Sequence, residues 1–119
     1  MRPSTEARFP RRGEVWLVNF NPGRGSEQKG VRPALVVQNN VGNQYAATTI
    51  VAAITTTVKP YPVTVVIRAR TCGLPHDSMV NMAQVLTVDK GRLIRKLGEL
   101  APDQLAAVSR ALRVSLDLT

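Results

Sequence analysis

The sequence predicts a small, mainly β domain in which short strands form a barrel or sandwich and one helix follows them. Three observations support this prediction. Short apolar and β-branched runs recur along residues 14–85, with turn-forming residues between them. After Pro102 the apolar residues instead recur every three or four positions, which is the spacing of an amphipathic helix. With 119 residues, the chain has the length of one common domain with a modest core.

Three strands are predicted in the first half of the chain. The first covers residues 14–20, where apolar residues alternate until a Pro-Gly pair interrupts the pattern. The second covers residues 34–38, and the Asn- and Gly-rich residues 39–43 after it predict a turn. Residues 48–54 are β-branched and apolar, which at this length favours a buried strand over a helix.

The second half of the chain contains further short strands and then the helix. Two prolines within residues 58–62 predict a loop, because proline cannot donate to a strand ladder. Strands are predicted over residues 63–68 and 79–85, and residues 90–97 are predicted as a short turn followed by a strand. Proline suits the first position of a helix, so the helix is predicted to begin at Pro102.

Composition favours a cytosolic protein that binds polyanions. Sixteen Lys and Arg residues against eight Asp and Glu residues give a formal charge of +8, which attracts nucleic acids. The single cysteine, Cys72, cannot form an intramolecular disulfide, and we expect it to be a small buried apolar residue. No apolar run is long enough to span a bilayer. Residues 1–10 are polar, carry Arg2 and Arg8, and are predicted to be a mobile basic tail without a signal peptide.

The most informative segment runs from Gly25 to Pro33, reads G-S-E-Q-K-G-V-R-P, and leads into the apolar residues 34–38. Proline biases the preceding residue towards extended geometry, so this segment holds Arg32 on a fixed backbone where a loop enters a strand. A guanidinium is always charged, and its planar fork suits phosphate oxygens. Arg32 is therefore a candidate phosphate-binding residue, although an isolated arginine near a strand start is most often a solvated surface charge.

Several phosphate-cleaving mechanisms do not fit this composition. His76 is the only histidine, so two imidazoles are not available for acid–base catalysis. The acidic residues are scattered singly, whereas two-metal nucleases need clustered carboxylates. The glycine-containing loop at residues 23–30 lacks the G-K-[ST] ending of a nucleotide-binding loop. Attack by the 2′-hydroxyl of RNA on the adjacent phosphate remains, because it needs no cofactor, only positioning and charge stabilisation.

Five segments of the chain resemble, in register, the MazF/PemK family of bacterial toxins. The resemblance covers residues 11–117 and predicts one toxin domain over residues 11–119. The segments that carry it are Gly25–Pro33, Arg12–Val18, Ile50–Thr56, Asp77–Asn81 and Gln84–Lys90.

The resemblance implies a compact, SH3-like antiparallel β-barrel with a C-terminal helix, which acts as a homodimer. It also implies a metal-independent, sequence-specific endoribonuclease that cleaves single-stranded mRNA, and a cognate antitoxin whose C-terminal segment blocks the RNA groove. Arg32 and Thr55 match the catalytic residues of the family. We expect Arg32 to stabilise charge, since a guanidinium is a poor proton acceptor, and Thr55 to donate a hydrogen bond to a phosphate oxygen.

Further residues are expected to bind RNA rather than to react with it. In the resembling family, the loop before the arginine covers the bound RNA. One residue of the predicted strand 79–85 and the residues that begin the proline-containing loop are further candidates for RNA binding. Without the resemblance, each of these residues would be interpreted as an ordinary surface or strand position. The candidates are Ser26, Glu27, Gln28, Lys29, Thr56, Thr57, Lys59 and Gln84.

Departures from the family pattern limit the mechanism, and two other functions stay open. Several members have an acidic residue or serine where Ala83 stands, an arginine where Leu86 stands, and an imidazole where Ser26 stands. A mechanism that depends on those groups cannot apply to this chain. The alternatives are a non-enzymatic poison of DNA gyrase, like the CcdB toxins, and a small basic barrel that only binds nucleic acid. The few aromatic residues argue against a broad stacking surface for single strands.

Overall fold

The computed structural model describes residues 9–21 and 29–118. Within these residues the chain forms strands and helices in the order β1 (Glu14–Asn19), β2 (Val31–Val36), α1 (Asn40–Tyr45), β3 (Thr48–Thr55), β4 (Thr64–Ile67), β5 (Ser78–Asp89), β6 (Leu93–Glu99) and α2 (Pro102–Ser115). The strands make one antiparallel sheet in the order β4-β5-β3-β2-β1-β6. The predicted mainly β fold with a C-terminal helix is confirmed.

The sheet buries apolar side chains on both of its faces. One face packs against α2, whose Val108 and Ala111 join the larger hydrophobic cluster. The opposite face holds a smaller cluster around Val18, Val36 and Val51, all of which are fully buried. No helix of the described residues contributes to this second cluster, and partly buried side chains of the sheet and its edges enclose it. The two faces therefore differ: α2 covers the first, and the second stays open at its margins.

Strand β2 begins three residues earlier than predicted and includes Pro33. The predicted range was 34–38, whereas the observed strand is Val31–Val36, with Arg32 as its second residue. Pro33 pairs with Leu17 of β1, but the β2–β3 pairs run only from Ala34 to Val36. Pro33 therefore lies where the ladder to β3 ends, so its missing N–H leaves no central ladder bond unmade.

The predicted turn at residues 39–43 is wrong, because these residues start the short helix α1. The Asn39 side chain accepts a hydrogen bond from the Gly42 N–H at 2.8 Å and so caps the first turn. Asparagine and glycine favour both turns and helix caps, so the sequence pattern could not separate the two. The helix places Asn43, which is fully buried, between β2 and β3.

Asn43 connects β2 and β3 through a buried hydrogen-bond network. Its Nδ2 donates to the Gln38 carbonyl at 2.9 Å, and its Oδ1 accepts from Gln38 Nε2 at 3.1 Å and from Thr49 Oγ1 at 2.7 Å. Gln38 Nε2 also donates to the Thr48 carbonyl at 3.0 Å. Because an unpaired buried amide is costly, these bonds fix how the two strands meet.

Strand β5 is longer than predicted and contains a wide bulge. It runs from Ser78 to Asp89 rather than over 79–85. Its partner β3 pairs Ala52 with Val85 and the next residue, Ala53, with Asn81, so residues 82–84 of β5 have no counterpart on β3. Within the bulge, the Met82 side chain packs in the larger hydrophobic cluster. A hydrogen bond from Ser115 Oγ to the Met82 carbonyl at 2.7 Å holds the bulge against α2.

Three smaller expectations at the edges of the fold have mixed outcomes. Residues 1–8 of the predicted tail lie outside the described residues, whereas Pro10 is buried and the Phe9 ring lies 5.0 Å from the Arg11 guanidinium. Cys72 is only half-buried, and its φ of 57° marks a turn residue rather than a simple core position. The start of α2 lacks a side-chain cap at Ala101, as expected, but the Gln104 side chain accepts from the Ala101 N–H at 2.9 Å.

The segment 69–74 packs its backbone directly against β6. A Cβ atom on Gly98 would lie 2.4 Å from the carbonyl carbon of Cys72, and one on Gly73 would lie 2.1 Å from the Leu97 carbonyl oxygen. Only glycine allows this approach at both positions, because real Cβ contacts are never so short. The two glycines therefore allow the turn after β4 to pack closely against the edge strand β6.

We expect Asn43→Leu to lower the free energy of unfolding by at least about 2 kcal/mol, because Gln38 and Thr49 would lose their buried partner. Gln44→Leu, at an exposed neighbouring position on α1, is the matched control and should change stability by less than about 0.5 kcal/mol. Urea denaturation followed by circular dichroism measures both variants. Equal effects of the two substitutions would show that the Asn43 network does not hold the strands.

Gly98→Ala should destabilise the fold by about 1–3 kcal/mol, because the new methyl group overlaps the Cys72 backbone and β6 or the turn must move. Gly91→Ala is the control, since nothing lies within 4 Å of a Cβ atom there. Thermal unfolding of the two variants gives the comparison. The close contact is refuted if Gly98→Ala melts at the temperature of Gly91→Ala.

Candidate active site

The pairing of β2 and β3 brings Arg32 and Thr55 to the same end of the sheet. Ala34 and Ala53 form the last pair of this antiparallel ladder, and Arg32 and Thr55 each lie two residues beyond it. Side chains two residues apart on a strand point to the same face, so Arg32 and Thr55 share the face of Ala34 and Ala53. Arg32 also pairs with the fully buried Val18 on its other side, and Thr55 pairs with Met79, which is 5% exposed. The two polar side chains thus lie in one row between apolar neighbours.

The Arg32 side chain is exposed and held at one end. Its Nε donates to the Lys29 carbonyl at 3.0 Å. Among the described residues, no further hydrogen bond or ion pair of this guanidinium is found, so its two terminal amino groups keep their donors. A guanidinium fixed through Nε presents the fork that suits two oxygens of a phosphate.

Thr55 is half-buried at the end of β3, and its hydroxyl has a fixed role in the local hydrogen bonding. The oxygen accepts from the Thr57 N–H at 3.1 Å, so the hydroxyl proton is available to an acceptor outside the strand. The next residues that the sequence indicates for RNA binding, Thr56, Thr57 and Lys59, are all exposed in the loop after β3. This loop therefore adds hydroxyl groups and a cation close to Thr55.

The remaining RNA-binding candidates are residues 26–29, which precede β2 in the sequence, and Gln84 of β5. Ser26, Glu27 and Gln28 are outside the described residues. Lys29 is exposed, and its carbonyl is the acceptor for Arg32. Gln84 is exposed on β5, within a bulge that the predicted strand over residues 79–85 did not include.

The two ends of the loop between β1 and β2 are hydrogen-bonded to each other. The Phe20 N–H donates to the Gly30 carbonyl at 2.8 Å, and the Gly30 N–H donates to Asn21 Oδ1 at 2.9 Å. The Arg92 guanidinium also donates to the Asn21 carbonyl. These bonds define where the chain leaves β1 and where it re-enters β2 ahead of Arg32.

Two polar residues beside the Arg32–Thr55 row were not singled out from the sequence. Asn81 pairs with Ala53, two residues before Thr55, and so lies on the same face. The Tyr61 hydroxyl lies 3.3 Å from Asn81 Oδ1, and the tyrosine is 48% exposed. In the sequence, Asn81 is only the last residue of a segment that resembles the family. No local pattern shows that this asparagine lies on the same face as Thr55. The long-range register is what reveals it.

A separate cavity of about 700 Å³ lies between the start of β1, the end of β6 and the start of α2, away from Arg32 and Thr55. Glu14 is 8% exposed there, and its Oε1 accepts from the Trp16 ring N–H at 2.8 Å. Its Oε2 lies 3.2 Å from Lys96 Nζ. Lys96 also donates to Glu99 at 2.8 Å, and this hydrogen bond is the largest cause of both the raised pKa of Lys96 and the lowered pKa of Glu99.

Arg12, on the wall of the same cavity, ties the N-terminal segment to the core. Its guanidinium donates to the Val37 carbonyl and to Ser109 Oγ, the latter at 3.0 Å. Burial lowers the pKa of Arg12 because it disfavours the charged form. The charged groups of this cavity are therefore engaged with each other and with the backbone, which indicates a structural role.

His76 is exposed in the turn before β5, as expected for a solvated histidine, and its carbonyl accepts from Ser78 Oγ at 2.9 Å. Residues 9–21 and 29–118 contain no group of three or more His, Cys, Asp or Glu side chains placed to hold a metal ion. None of the helices in this part of the chain is long and apolar enough to cross a membrane.

The fold and the site together define a small basic β-sheet protein with an arginine and a hydroxyl on one face at the same end of two neighbouring strands. A family model of PemK-like, MazF-like toxins of type II toxin–antitoxin systems matches residues 11–116. The chain therefore belongs to this toxin family.

Individual relatives agree with the family match over most of the chain. The endoribonuclease EndoA of Bacillus subtilis is 42% identical over 110 residues, which cover 91% of this chain and 95% of that protein. The crystal structure of MazF from Deinococcus radiodurans is similar with a TM-score of 0.78 and 30% identity, covering 92% of this chain and 97% of that one. A mycobacterial endoribonuclease, solved in complex with its cognate antitoxin, has a TM-score of 0.78 and 28% identity, with coverage of 92% and 97%.

Proposed function

We propose that this toxin is a sequence-specific, metal-independent endoribonuclease that cleaves single-stranded mRNA. The observation that carries the proposal is the β2–β3 register, whose last pair, Ala34 with Ala53, leaves Arg32 and Thr55 each two residues further on and on one face of the sheet. The likeness to EndoA, an endoribonuclease at 42% identity, supports the same reaction class. The formal charge of +8 supports a polyanionic substrate.

In the proposed reaction, RNA supplies its own nucleophile. The 2′-oxygen gives its proton to water and attacks the adjacent phosphorus, the bond from phosphorus to the 5′-oxygen breaks, and that oxygen takes up a proton from water. The products are a 2′,3′-cyclic phosphate and a 5′-hydroxyl. Negative charge builds up on the non-bridging phosphate oxygens, where the Arg32 guanidinium and the Thr55 hydroxyl would stabilise it.

Residues around this pair would hold the RNA strand. Lys29 and Lys59 would attract phosphates, since both are exposed and charged. The Thr56 and Thr57 hydroxyls and the Gln84 amide would contact sugars, phosphates or base edges. Ser26, Glu27 and Gln28 would do the same from the loop before β2, as the family resemblance implies.

We further propose that residues 11–119 form the single toxin domain, that the toxin acts as a homodimer in the cytoplasm, and that a cognate antitoxin inhibits it. A mycobacterial relative was solved with its cognate antitoxin, and a MazE–MazF complex from Deinococcus radiodurans is similar to this chain with a TM-score of 0.75. An acidic C-terminal segment of the antitoxin would be attracted to this basic toxin and compete with RNA for the same surface.

Arg32→Ala and Thr55→Ala should each lower the rate of RNA cleavage by about 10²–10³-fold, because each removes one preorganised donor from the transition state. Cleavage of a long RNA by the purified toxin is measured in EDTA, where the wild-type rate should not change. Arg95→Ala and Thr87→Ala remove the same groups from other exposed positions and serve as controls. Wild-type rates in both site variants would refute the assignment.

A single 2′-deoxy substitution on the nucleotide before the cut should abolish cleavage at that position, because the nucleophile is missing. The same substitution one nucleotide further along the RNA should leave cleavage intact. Electrophoresis of an end-labelled substrate measures both, and the 5′-hydroxyl is identified by direct phosphorylation with a kinase. Cutting beside the deoxy sugar at the normal rate would indicate attack by water and contradict the proposed chemistry.

A further inference from the structure

A polar row lies beside the proposed catalytic pair, on the same face of the sheet. Thr64 of β4 pairs with Asn81 of β5, and Asn81 pairs with Ala53 of β3. Thr55 is two residues beyond Ala53, so Asn81 is its diagonal neighbour across the β3–β5 pair. Diagonal neighbours in a sheet lie about 7–8 Å apart. This spacing brings Asn81 within reach of a base whose phosphate lies at Arg32 and Thr55.

The amide of Asn81 has a fixed orientation. Its Oδ1 accepts from the Ala83 N–H at 2.9 Å and from the Tyr61 hydroxyl at 3.3 Å. A backbone N–H can only donate, so the atom facing Ala83 must be the oxygen. The Nδ2 group therefore points away from the bulge, and no acceptor for it is found among the described residues. Asn81 thus presents two N–H donors with no acceptor on that side.

Tyr61 is held above this amide by the turn that precedes β4. Thr64 Oγ1 accepts from the Tyr61 N–H at 3.0 Å and donates to the Tyr61 carbonyl at 2.7 Å. The tyrosine remains 48% exposed, although its hydroxyl is bonded to Asn81. An exposed aromatic ring with a fixed backbone is a surface on which an unstacked base can stack.

The bulge of β5 keeps the donor in place. Ser115 Oγ of α2 donates to the Met82 carbonyl at 2.7 Å, and the Met82 N–H donates to the Val63 carbonyl at 2.8 Å. The Ala83 N–H that orients Asn81 is therefore part of a backbone fastened on two sides. A recognition group on such a rigid support loses little freedom when it binds.

We propose that Tyr61 and Asn81 form the base-recognition site of this toxin, for a nucleotide that flanks the cleaved phosphate. The Tyr61 ring stacks on the base, and Asn81 Nδ2 donates to a keto oxygen on its edge. The site favours uracil O4 or guanine O6 over the amino groups of cytosine and adenine at the same place, because two donors cannot pair. This inference rests on the endoribonuclease activity proposed above.

The test is a comparison of cleavage positions in a randomised RNA library, read by sequencing the 5′-hydroxyl fragments. Wild-type toxin should favour U or G at one position beside the cut. Asn81→Asp keeps the shape and the bond from Ala83 but replaces the donor with an acceptor. It should lower the U-to-C cleavage ratio at that position by about tenfold and leave other positions unchanged.

Variants of Tyr61 test the stacking role. Tyr61→Ala should raise KM for the preferred RNA by about tenfold with a smaller change in kcat, and Tyr61→Phe should retain most of the affinity because the ring remains. Tyr45→Ala and Gln44→Glu, both at exposed positions on α1, are the controls for loss of an aromatic ring and for an added charge. Thermal unfolding of each variant confirms that the fold is retained.

The outcomes separate this inference from the proposed function. If wild-type toxin does not cut RNA, or cuts it without needing Arg32, the proposed function fails and the recognition site fails with it. If cleavage depends on Arg32 but Asn81→Asp leaves the base preference unchanged at every position, the recognition site alone is refuted. A shift towards C or A at one position, together with the Tyr61→Ala effect on KM, supports it.

Discussion

The arrangement of this molecule depends on one constraint, the register between β2 and β3. That register brings Arg32 and Thr55 to one face at the same end of the ladder, although the two residues are far apart in the chain. A slip by one residue would turn every side chain of one strand to the other face and separate the pair. The buried amide of Asn43 opposes such a slip, because it bonds to Gln38 after β2 and to Thr49 within β3.

The two faces of the sheet differ in the residues that they carry. The face covered by α2 contains the larger apolar cluster, whose burial provides most of the driving force for folding. The other face contains a smaller cluster, and Arg32 and Thr55 lie in a row with its buried Val18. The proposed site therefore lies on the face that α2 leaves uncovered.

Much of the fold follows from local sequence patterns, whereas the neighbourhood of the site does not. Alternating and β-branched runs indicated β1 and β3, and the change of period after Pro102 indicated α2. The helix at residues 40–45 was missed, because asparagine and glycine serve turns and helix caps equally well. Asn81 reaches the row of Thr55 only through the long-range pairing of β3 with β5, which no local pattern encodes.

The bulge in β5 has a consequence for how such a toxin can diversify. The β3–β5 pairs stop at Asn81 and resume at Val85, and Ala83 is exposed between them, so a change of its side chain would leave the pairs on either side intact, whereas Met82 is buried in the core. Arg32 and Thr55, in contrast, occupy strand positions whose neighbours are packed and cannot move independently. Exposed positions of the bulge can therefore vary while the strand positions that hold Arg32 and Thr55 stay the same. One scaffold can in this way carry many different surfaces beside the same pair of residues.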